Sequence, residues 1–355
     1  MDRKFSKSFR MQTTLMTQIL LGEYCCGDHL PSAAALMREF NTSAATVKRV
    51  LDELAASKLI RRRRGSSPVV LPQSGHTSGE HGLKVVIVRD EFKHGLFFGY
   101  RYAPWTWTLQ EMTYNRMMRE HIPVITIGKN DLSNMSSLLH SASGVIYISP
   151  KVDPAAVEYL EKNQLPYVII TGFTAEKLDN MVCYNYQPAT ERIAVYLLSC
   201  GVKKVNIIAN PEADGRLDGM INLLKKHGFA LQNICCMDVP DVLKCAELAA
   251  HYQQPLPEDA KPLGVVCYND YHAYIVEKQL VAAGWHSKKD YVILTLGDLL
   301  EPRESGYCTL EIEQLVNQGV EMLYRRMKKF QREPVCQVEP VFVLNRKKYK
   351  DITYK

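Results

Sequence analysis

The sequence predicts an α/β protein in which a small N-terminal winged helix-turn-helix domain precedes a larger region built on parallel β-sheet. Three observations support this fold class. Residues 7–70 contain three helical patterns and then a short hairpin pattern. From residue 83 onward, short apolar runs alternate with helical patterns, which is typical of strands that helices cover on both faces. The excess positive charge lies entirely in the first 70 residues, so the two regions also differ electrically.

The first predicted helix covers residues 7–21 and has one apolar face. Met11, Leu15 and Ile19 recur at four-residue spacing, as residues on one side of a helix do. The second helix is predicted to begin after Ser32, because its hydroxyl can accept a hydrogen bond from an unpaired N–H of the first turn. Its apolar residues are Leu36, Met37 and Phe40.

A third helix is predicted to begin after Ser43, which is a second good N-cap. Its apolar residues follow the spacing i, i+3, i+4, i+7 and must be buried against the first two helices; they are Val47, Val50, Leu51 and Leu54. The outward face at its start combines small and basic side chains, which suits the major groove of DNA. We therefore expect DNA contacts from Ser32, Ser43, Ala45, Thr46, Lys48 and Arg49.

A basic hairpin follows the third helix. Its strands are predicted at residues 59–60 and 69–70, and Arg61, Arg62, Arg63 and Arg64 follow the first of them. Guanidinium groups at a wing tip can meet DNA phosphates, so these four arginines are predicted DNA contacts. Residues 1–70 hold 12 Lys and Arg against 6 Asp and Glu, whereas the remainder holds 32 of each. A merely solvated charged face would not account for this placement.

The spacing of these residues resembles the GntR family of bacterial transcription regulators. The matching positions are Gly22, Tyr24, Gly27, Leu30, Pro31, Ser32, Leu36, Phe40, Ser43, Thr46, Val47, Lys48, Leu51 and Leu54. The resemblance implies a winged helix-turn-helix that binds an operator. The sequence departs from the family pattern at two sites. Ala33-Ala34 replaces Glu-Arg, and Ala44 replaces Arg. Both family arginines contact DNA, so the operator sequence does not carry over.

Residues 72–82 contain Pro, Gly and Ser with few apolar side chains, which predicts a linker. It would join a DNA-binding domain of residues 1–71 to an α/β domain of residues 83–355. Strands are predicted at residues 83–88, 124–127, 144–148, 167–171, 205–209, 264–268 and 291–296. Helices are predicted at residues 154–163, 188–199, 215–227, 242–251, 272–283 and 313–330.

The second half of the α/β region is similar to the effector domain of the LacI family, whose fold is that of type I periplasmic sugar-binding proteins. The similarity rests on Arg216-x-x-Gly219, on residues 264–273 with Asn269-Asp270, and on Gly297-Asp298. It implies two lobes around a ligand cleft, joined by three chain segments. Lobe 1 would comprise about residues 83–172 and 313–330, and lobe 2 about residues 184–298. The crossings are expected near residues 173–183, 298–302 and 308–313.

The resemblance places Arg216 and Asp270 where LacI-type domains bind ligand hydroxyls. A guanidinium and a carboxylate can together satisfy several hydroxyls of a polyol. Asp270 could instead cap the helix that follows it. Asn269 and Asp298 are further candidates, with stabilisation of a turn and of a hinge as their alternative roles.

Seven aromatic residues lie between positions 92 and 107, just after the first predicted strand of the α/β region. Aromatic rings stack on the apolar faces of sugars, so we expect Trp105 or Trp107 in the ligand site, beside Asp90 at the strand end. A dimer interface is the alternative environment, because aromatic side chains are also enriched there.

Catalysis, a metal and a cofactor are not expected. The sequence has no G-x-S-x-G, H-E-x-x-H, Walker or dinucleotide-binding motif, and its ten cysteines lack zinc-ligand spacing. No signal peptide or apolar run of bilayer-spanning length is visible, which predicts a cytoplasmic protein with reduced thiols.

Together these features predict a ligand-responsive bacterial transcription regulator. It would bind a palindromic DNA operator as a homodimer, and a small polar effector, a sugar or sugar derivative, would release or retune it. The family resemblance favours a repressor. Two alternatives stay open: a constitutive architectural DNA-binding protein whose α/β region only dimerises, and a DNA-binding enzyme of sugar metabolism.

Overall fold

A computed structural model describes residues 7–20, 23–63, 65–72, 83–89, 104–132, 134, 139, 142–149, 152–172, 178–209, 216–236, 261–268, 270–297, 306–344 and 347–348. These residues form a winged-helix domain and two lobes, each with its own parallel sheet. The predicted fold class is confirmed. Within the described residues, no helix combines the length and apolarity that crossing a bilayer requires.

The winged-helix domain consists of three helices and an antiparallel hairpin. Its elements are α1 (Lys7–Leu20), α2 (Ala33–Glu39), α3 (Ala44–Ala56), β1 (Ile60–Arg61) and β2 (Val69–Val70). The apolar residues that predicted the helices are buried in one cluster, which includes Met11, Leu15, Ile19, Leu36, Val47, Val50, Leu51 and Leu54. The same pattern that predicts each helix therefore also determines which face it buries.

Lobe 1 has a six-stranded sheet whose pairings are all parallel. Its strands are β3 (Val85–Arg89), β4 (Val124–Gly128), β5 (Gly144–Ile148), β6 (Tyr167–Ile170), β7 (Met181–Tyr184) and β13 (Cys336–Val338), in the order β13-β7-β6-β5-β3-β4. Its helices are α4 (Pro104–Arg119), α5 (Pro154–Lys162) and α9 (Ile312–Lys329). Strands β5, β6 and β7 are buried at every position, as expected of strands that helices cover on both faces.

Lobe 2 has a seven-stranded sheet that ends in two antiparallel strands. Its strands are β8 (Lys204–Ala209), β9 (Ala230–Cys236), β10 (Leu263–Cys267), β11 (Tyr291–Thr295), β12 (Tyr307–Thr309), β14 (Val341–Leu344) and β15 (Lys347–Lys348), in the order β15-β14-β12-β11-β10-β8-β9. Its helices are α6 (Gln187–Ser199), α7 (Arg216–Lys226) and α8 (Asp270–Ala282). The helix predicted at residues 242–251 lies outside the described residues.

Within the described residues, the chain passes between the two sheets at residues 185–186, 310–311 and 339–340. This corrects one expectation. Residues 181–184 form β7 in the sheet of lobe 1, so lobe 1 extends beyond residue 172. The crossing predicted at residues 298–302 lies outside the described residues, and the strands before and after it, β11 and β12, pair in one sheet. The error at β7 has a physical cause, because hydrogen bonds to strands distant in sequence decide which sheet a short strand joins.

Helix α9 connects the winged-helix domain to lobe 1. It packs against β5, β6, β7 and α4 on one side and against α1 on another. Thr14 of α1 donates a hydrogen bond from its hydroxyl to the carbonyl oxygen of Lys328, at 2.8 Å. The Lys328 ammonium forms an ion pair with Glu23. The two domains are thus in direct contact, whereas the predicted linker has only Pro72 within the described residues.

The close packing of α9 on β6 leaves no room for a side chain at Gly319, where a Cβ would lie 2.4 Å from Cδ1 of Ile170. We expect Gly319→Ala to lower the free energy of unfolding by about 1–3 kcal/mol, measured by urea denaturation. The matched control is Gly219→Ala in α7, where no atom lies within 4 Å of the added Cβ. It should be neutral or stabilising by up to about 1 kcal/mol. Equal destabilisation by both substitutions would contradict the close contact.

Candidate nucleic-acid interface and effector cleft

The start of α3 is shaped by two serine caps. Ser43 Oγ accepts a hydrogen bond from the Thr46 amide at 3.3 Å and lies 3.0 Å from the Thr46 hydroxyl oxygen. Ser32 Oγ accepts from the Ala35 amide at 3.2 Å and caps α2 in the same way. Both predicted caps are confirmed. The Ser32 cap defines where α2 begins, and the Ser43 cap defines where α3 begins after the turn, which is the helix that a helix-turn-helix presents to DNA.

The outward face of α3 carries the predicted small and basic residues. Ala45, Lys48 and Arg49 are exposed and Thr46 is half-buried, while the apolar stripe of the helix points into the core. A helix with a narrow, small-residue front and a basic flank can approach base edges without collision. This face is therefore the surface that best fits the major groove of DNA.

Two of the predicted DNA contacts are also bound within the domain. Arg49 donates to the Ser8 hydroxyl of α1 and lies 3.9 Å from a carboxylate oxygen of Glu53. Arg62 forms an ion pair with Asp52 of α3 and reaches the Lys48 carbonyl oxygen at 3.4 Å. In this arrangement Arg49 ties α3 to α1, and Arg62 ties the wing to α3.

The wing itself is formed by β1 and β2, in which Ile60 pairs with Val70 and Arg61 pairs with Val69. Arg61 and Arg63 are exposed, whereas Arg64 lies outside the described residues. Both are exposed cations in the hairpin that Arg62 joins to α3. Such groups can neutralise phosphates that flank a helix seated in the groove.

The second candidate site is a cleft between the two sheets, whose position follows from topology. The crossing at residues 185–186 leaves the carboxyl end of β7, and the crossing at residues 310–311 leaves the carboxyl end of β12. The last crossing runs from the carboxyl end of β13 to the start of β14, which pairs antiparallel with β12 through Thr309 and Val341. All three segments therefore connect the carboxyl edges of the two sheets, which must face each other.

Hydrogen bonds hold these crossing segments together. The Asn185 amide donates to the Val338 carbonyl oxygen at 2.8 Å, which links the first crossing to the last. Thr309 donates its hydroxyl hydrogen to a carboxylate oxygen of Glu311 at 2.7 Å, beside the Val341 carbonyl. A hinge made of three chain segments allows two lobes to open and close around a ligand.

The predicted ligand residues lie in segments of the chain that follow strands ending at this cleft. Arg216 and Asp270 are the first residues of α7 and α8, which follow the neighbouring strands β8 and β10. Trp105 and Trp107 lie in the first turn of α4, which follows β3 in the other lobe. The side chains of these four residues lie outside the described part of the chain, as do Asp90, Asn269 and Asp298 entirely. Their contacts with a ligand therefore stay predictions.

His272 in α8 is fully buried two residues after Asp270, and burial lowers its pKa from about 6.5 to about 4. Below about pH 6.5 the unfolded chain binds a proton that the folded chain does not, so stability falls as the pH drops towards 4. We expect this group to cost about 2 kcal/mol between pH 7 and pH 5, measured by urea denaturation at both values. His272→Leu should reduce the pH dependence by that amount. Identical pH profiles for His272→Leu and the unmodified chain would contradict the shift.

Sequence reasoning missed the contact between the two domains. Arg10 of α1 stacks over the Phe330 ring at 4.9 Å across this contact, and close by, within lobe 1, Arg326 of α9 stacks over the Tyr167 ring at 4.9 Å. One signal was available, because Arg326 is a charged residue on the otherwise apolar stripe that begins at Leu315. A buried cation at such a position indicates a specific electrostatic environment.

Comparison with known families identifies the first domain. Residues 10–70 match the profile of the family described as "Bacterial regulatory proteins, gntR family". This confirms the resemblance predicted for the winged helix and assigns DNA binding and transcription regulation to that domain. No curated protein sequence matches the chain significantly.

Solved structures identify the fold of the rest. A LacI family transcriptional regulator from Enterococcus faecium with bound ribose is 16% identical, with a TM-score of 0.56, over 77% of this chain and 100% of the other. A LacI family regulator from Arthrobacter sp. FB24 in complex with lactose is 14% identical, with a TM-score of 0.58, over 75% and 99%. The lactose repressor bound to the anti-inducer ONPF is 14% identical, with a TM-score of 0.59, over 74% and 98%. Residues beyond the winged helix thus have the fold of LacI-type regulators.

Proposed function

We propose that this chain is a ligand-responsive bacterial transcription repressor. It binds a two-fold symmetric operator as a homodimer and releases or retunes it when a sugar or sugar derivative occupies the cleft between the lobes. One observation supports this most strongly. A helix with an exposed basic flank and a two-lobed clamp belong to one chain and are joined through a single rigid helix, α9.

A sugar is the effector that we infer from two features. The residues predicted from sequence for the effector site include one guanidinium and several carboxylates, and such groups can together satisfy several hydroxyls of a polyol. Two structures of the same fold contain ribose and lactose. Both features concern ligand binding, and we assign no reaction to the site.

Dimer formation is supported by exposed apolar side chains. Tyr114 and Met118 lie on α4 and are 43% and 46% exposed, and Ile125 on the adjacent edge strand β4 is 40% exposed. Large apolar residues on neighbouring elements are unusual on a monomer surface and typical of an interface. A dimer places two winged-helix domains on one operator, which gives the contacts that specificity requires.

Helix α9 supplies a physical route from the effector to DNA. It begins directly after the crossing at residues 310–311 and ends where Lys328 contacts α1. Its 18 residues span about 27 Å as a rigid rod. We infer that a change in the angle between the lobes displaces the crossing that precedes α9, and that a resulting shift of α9 within lobe 1 reaches the winged helix at its other end, which links ligand and DNA affinities.

The test is a thermal-shift screen of sugars, followed by DNA binding with each hit. We expect at least one sugar to raise the unfolding temperature in a saturable way and to change operator affinity. The DNA is selected from a random duplex pool, and the selected sites should be two-fold symmetric. Saturable DNA binding without any sugar response would favour an architectural protein. Turnover of a bound sugar would favour an enzyme.

A further inference from the structure

The junction of the winged-helix domain and lobe 1 contains a second cleft, which we call the interdomain cleft. It has a volume of about 200 Å³ and is lined by Arg10, Glu161, Gln164, Leu165, Tyr167, Arg326, Phe330 and Arg332. Pockets for drug-sized ligands usually have about 300–1,000 Å³, so this cleft suits a smaller molecule. It belongs neither to the DNA-binding surface nor to the effector cleft.

Arg326 at this cleft is a buried cation. The residue is 8% exposed, and its Nε and Nη1 atoms are buried and have no hydrogen-bond partner among the described residues. It stacks on the Tyr167 ring at 4.9 Å, and the carboxylates of Glu161 and Glu333 interact electrostatically with its charge. Buried guanidinium groups are costly unless their N–H groups are bonded, and the described residues supply no acceptor for these two.

The carboxylates nearby already have other donors. Glu161 accepts hydrogen bonds from the Tyr167 hydroxyl at 3.0 Å and from Arg332 at 3.2 Å. Glu333 accepts from Arg325 at 3.1 Å. The lining therefore contains three guanidinium groups against one carboxylate, a formal charge of +2. Asp179 lies outside the lining, 3.9 Å from Arg332. A dianion would match the net charge of the lining.

We propose that the interdomain cleft binds a small phosphate-bearing anion, held by Arg326 from lobe 1, by Arg332 at the rim and by Arg10 from the winged-helix domain. A phosphate group fits because its oxygens can accept from several guanidinium groups at once, in the fork geometry that arginine favours. Phe330, Tyr167 and Leu165 leave an apolar wall for a short organic remainder. The bound anion connects the two domains through Arg10 and Arg326 and so favours their docked arrangement.

The experiment is calorimetric titration of the full chain at constant ionic strength. The probes are inorganic phosphate and glycerol 3-phosphate, and glycerol is the neutral control. We expect one saturable site per chain for both phosphates and none for glycerol. Arg326→Met should abolish binding, because the thioether keeps the packing on Tyr167 but offers no donor. Arg10→Gln and Arg332→Gln, at exposed positions, should each weaken it about tenfold or more.

Two controls make the outcomes decisive. Arg325→Gln removes an equal charge from the neighbouring residue, which pairs with Glu333 and does not line the cleft, and should leave binding unchanged. The double variant Arg61→Gln and Arg63→Gln tests whether phosphate binds on the wing instead. It should leave phosphate binding unchanged, and loss of binding in this variant would contradict the proposal. Equal phosphate affinity in Arg10→Gln, Arg332→Gln and the unmodified chain, or no saturable binding below about 10 mM, would overturn the proposal. The assay contains neither DNA nor sugar, so it can fail while the proposed function stands.

Discussion

Replacing Lys48, Arg61 and Arg63 together by Gln is expected to lower operator affinity about 100-fold at about 0.15 M salt. All three side chains are exposed on α3 and the wing. Each phosphate contact releases counterions, which contributes about 0.9 to the slope of log affinity against log salt concentration. The loss of three contacts should therefore flatten that slope by about 3. Fluorescence anisotropy with a labelled operator, over a range of salt concentrations, measures both quantities.

The matched control has the same change in net charge on lobe 2. Lys203, Lys225 and Lys226 are exposed there, remote in sequence from the winged helix. Their replacement by Gln should leave the salt slope nearly unchanged. If both triple variants behave alike, the affinity depends on overall charge rather than on this surface. Arg62→Gln should flatten the slope less than either neighbour, because Arg62 is already paired with Asp52.

Arg216→Ala and Asp270→Ala should each weaken binding of the stabilising sugar by about 10- to 100-fold. Hydrogen bonds to charged groups contribute about 1.5–3 kcal/mol each, and a net loss of one of them corresponds to this change in affinity. The two residues begin α7 and α8, which follow adjacent strands of lobe 2. Calorimetric titration of the sugar gives the affinity, and unfolding without sugar gives the stability of each variant.

The alternative role of Asp270, stabilisation of the start of α8, can be separated from ligand binding. Asp270 is the first residue of that helix, and Asp270→Asn keeps a hydrogen-bonding side chain of the same size there while it removes the charge. Weakened sugar binding in Asp270→Asn with unchanged stability supports a ligand contact. Normal sugar binding in both Asp270 variants would reject the predicted site. Lys278→Ala, at an exposed position of the same helix, should not change sugar affinity.

The winged helix could be predicted from sequence because its determinants are local. Ser32 and Ser43 cap helices through amides three residues away. The spacing of Val47, Val50 and Leu51 specifies a buried face within one helix. The alternation of buried strands and helices in the lobes is equally local, so most elements of the α/β region were predicted to within two residues.

The crossings and the interdomain contact could not be predicted in this way. Residues 181–184 form a four-residue strand, and only pairing with β6 and β13 assigns it to lobe 1. The contact between Thr14 and Lys328 joins residues more than 300 positions apart. No periodicity in the sequence specifies such partners.

The sequence by itself determined the winged-helix domain, with its helix caps, its basic wing and its excess positive charge. It also determined the fold class of the α/β region that follows. The tertiary structure alone decided where the chain passes between the lobes, that α9 holds the winged helix, and that Arg10 and Arg326 line one cleft. The division has a physical reason. Capping and amphipathicity act between neighbours in the chain, whereas sheet membership and docking depend on contacts that exist only after the chain has folded.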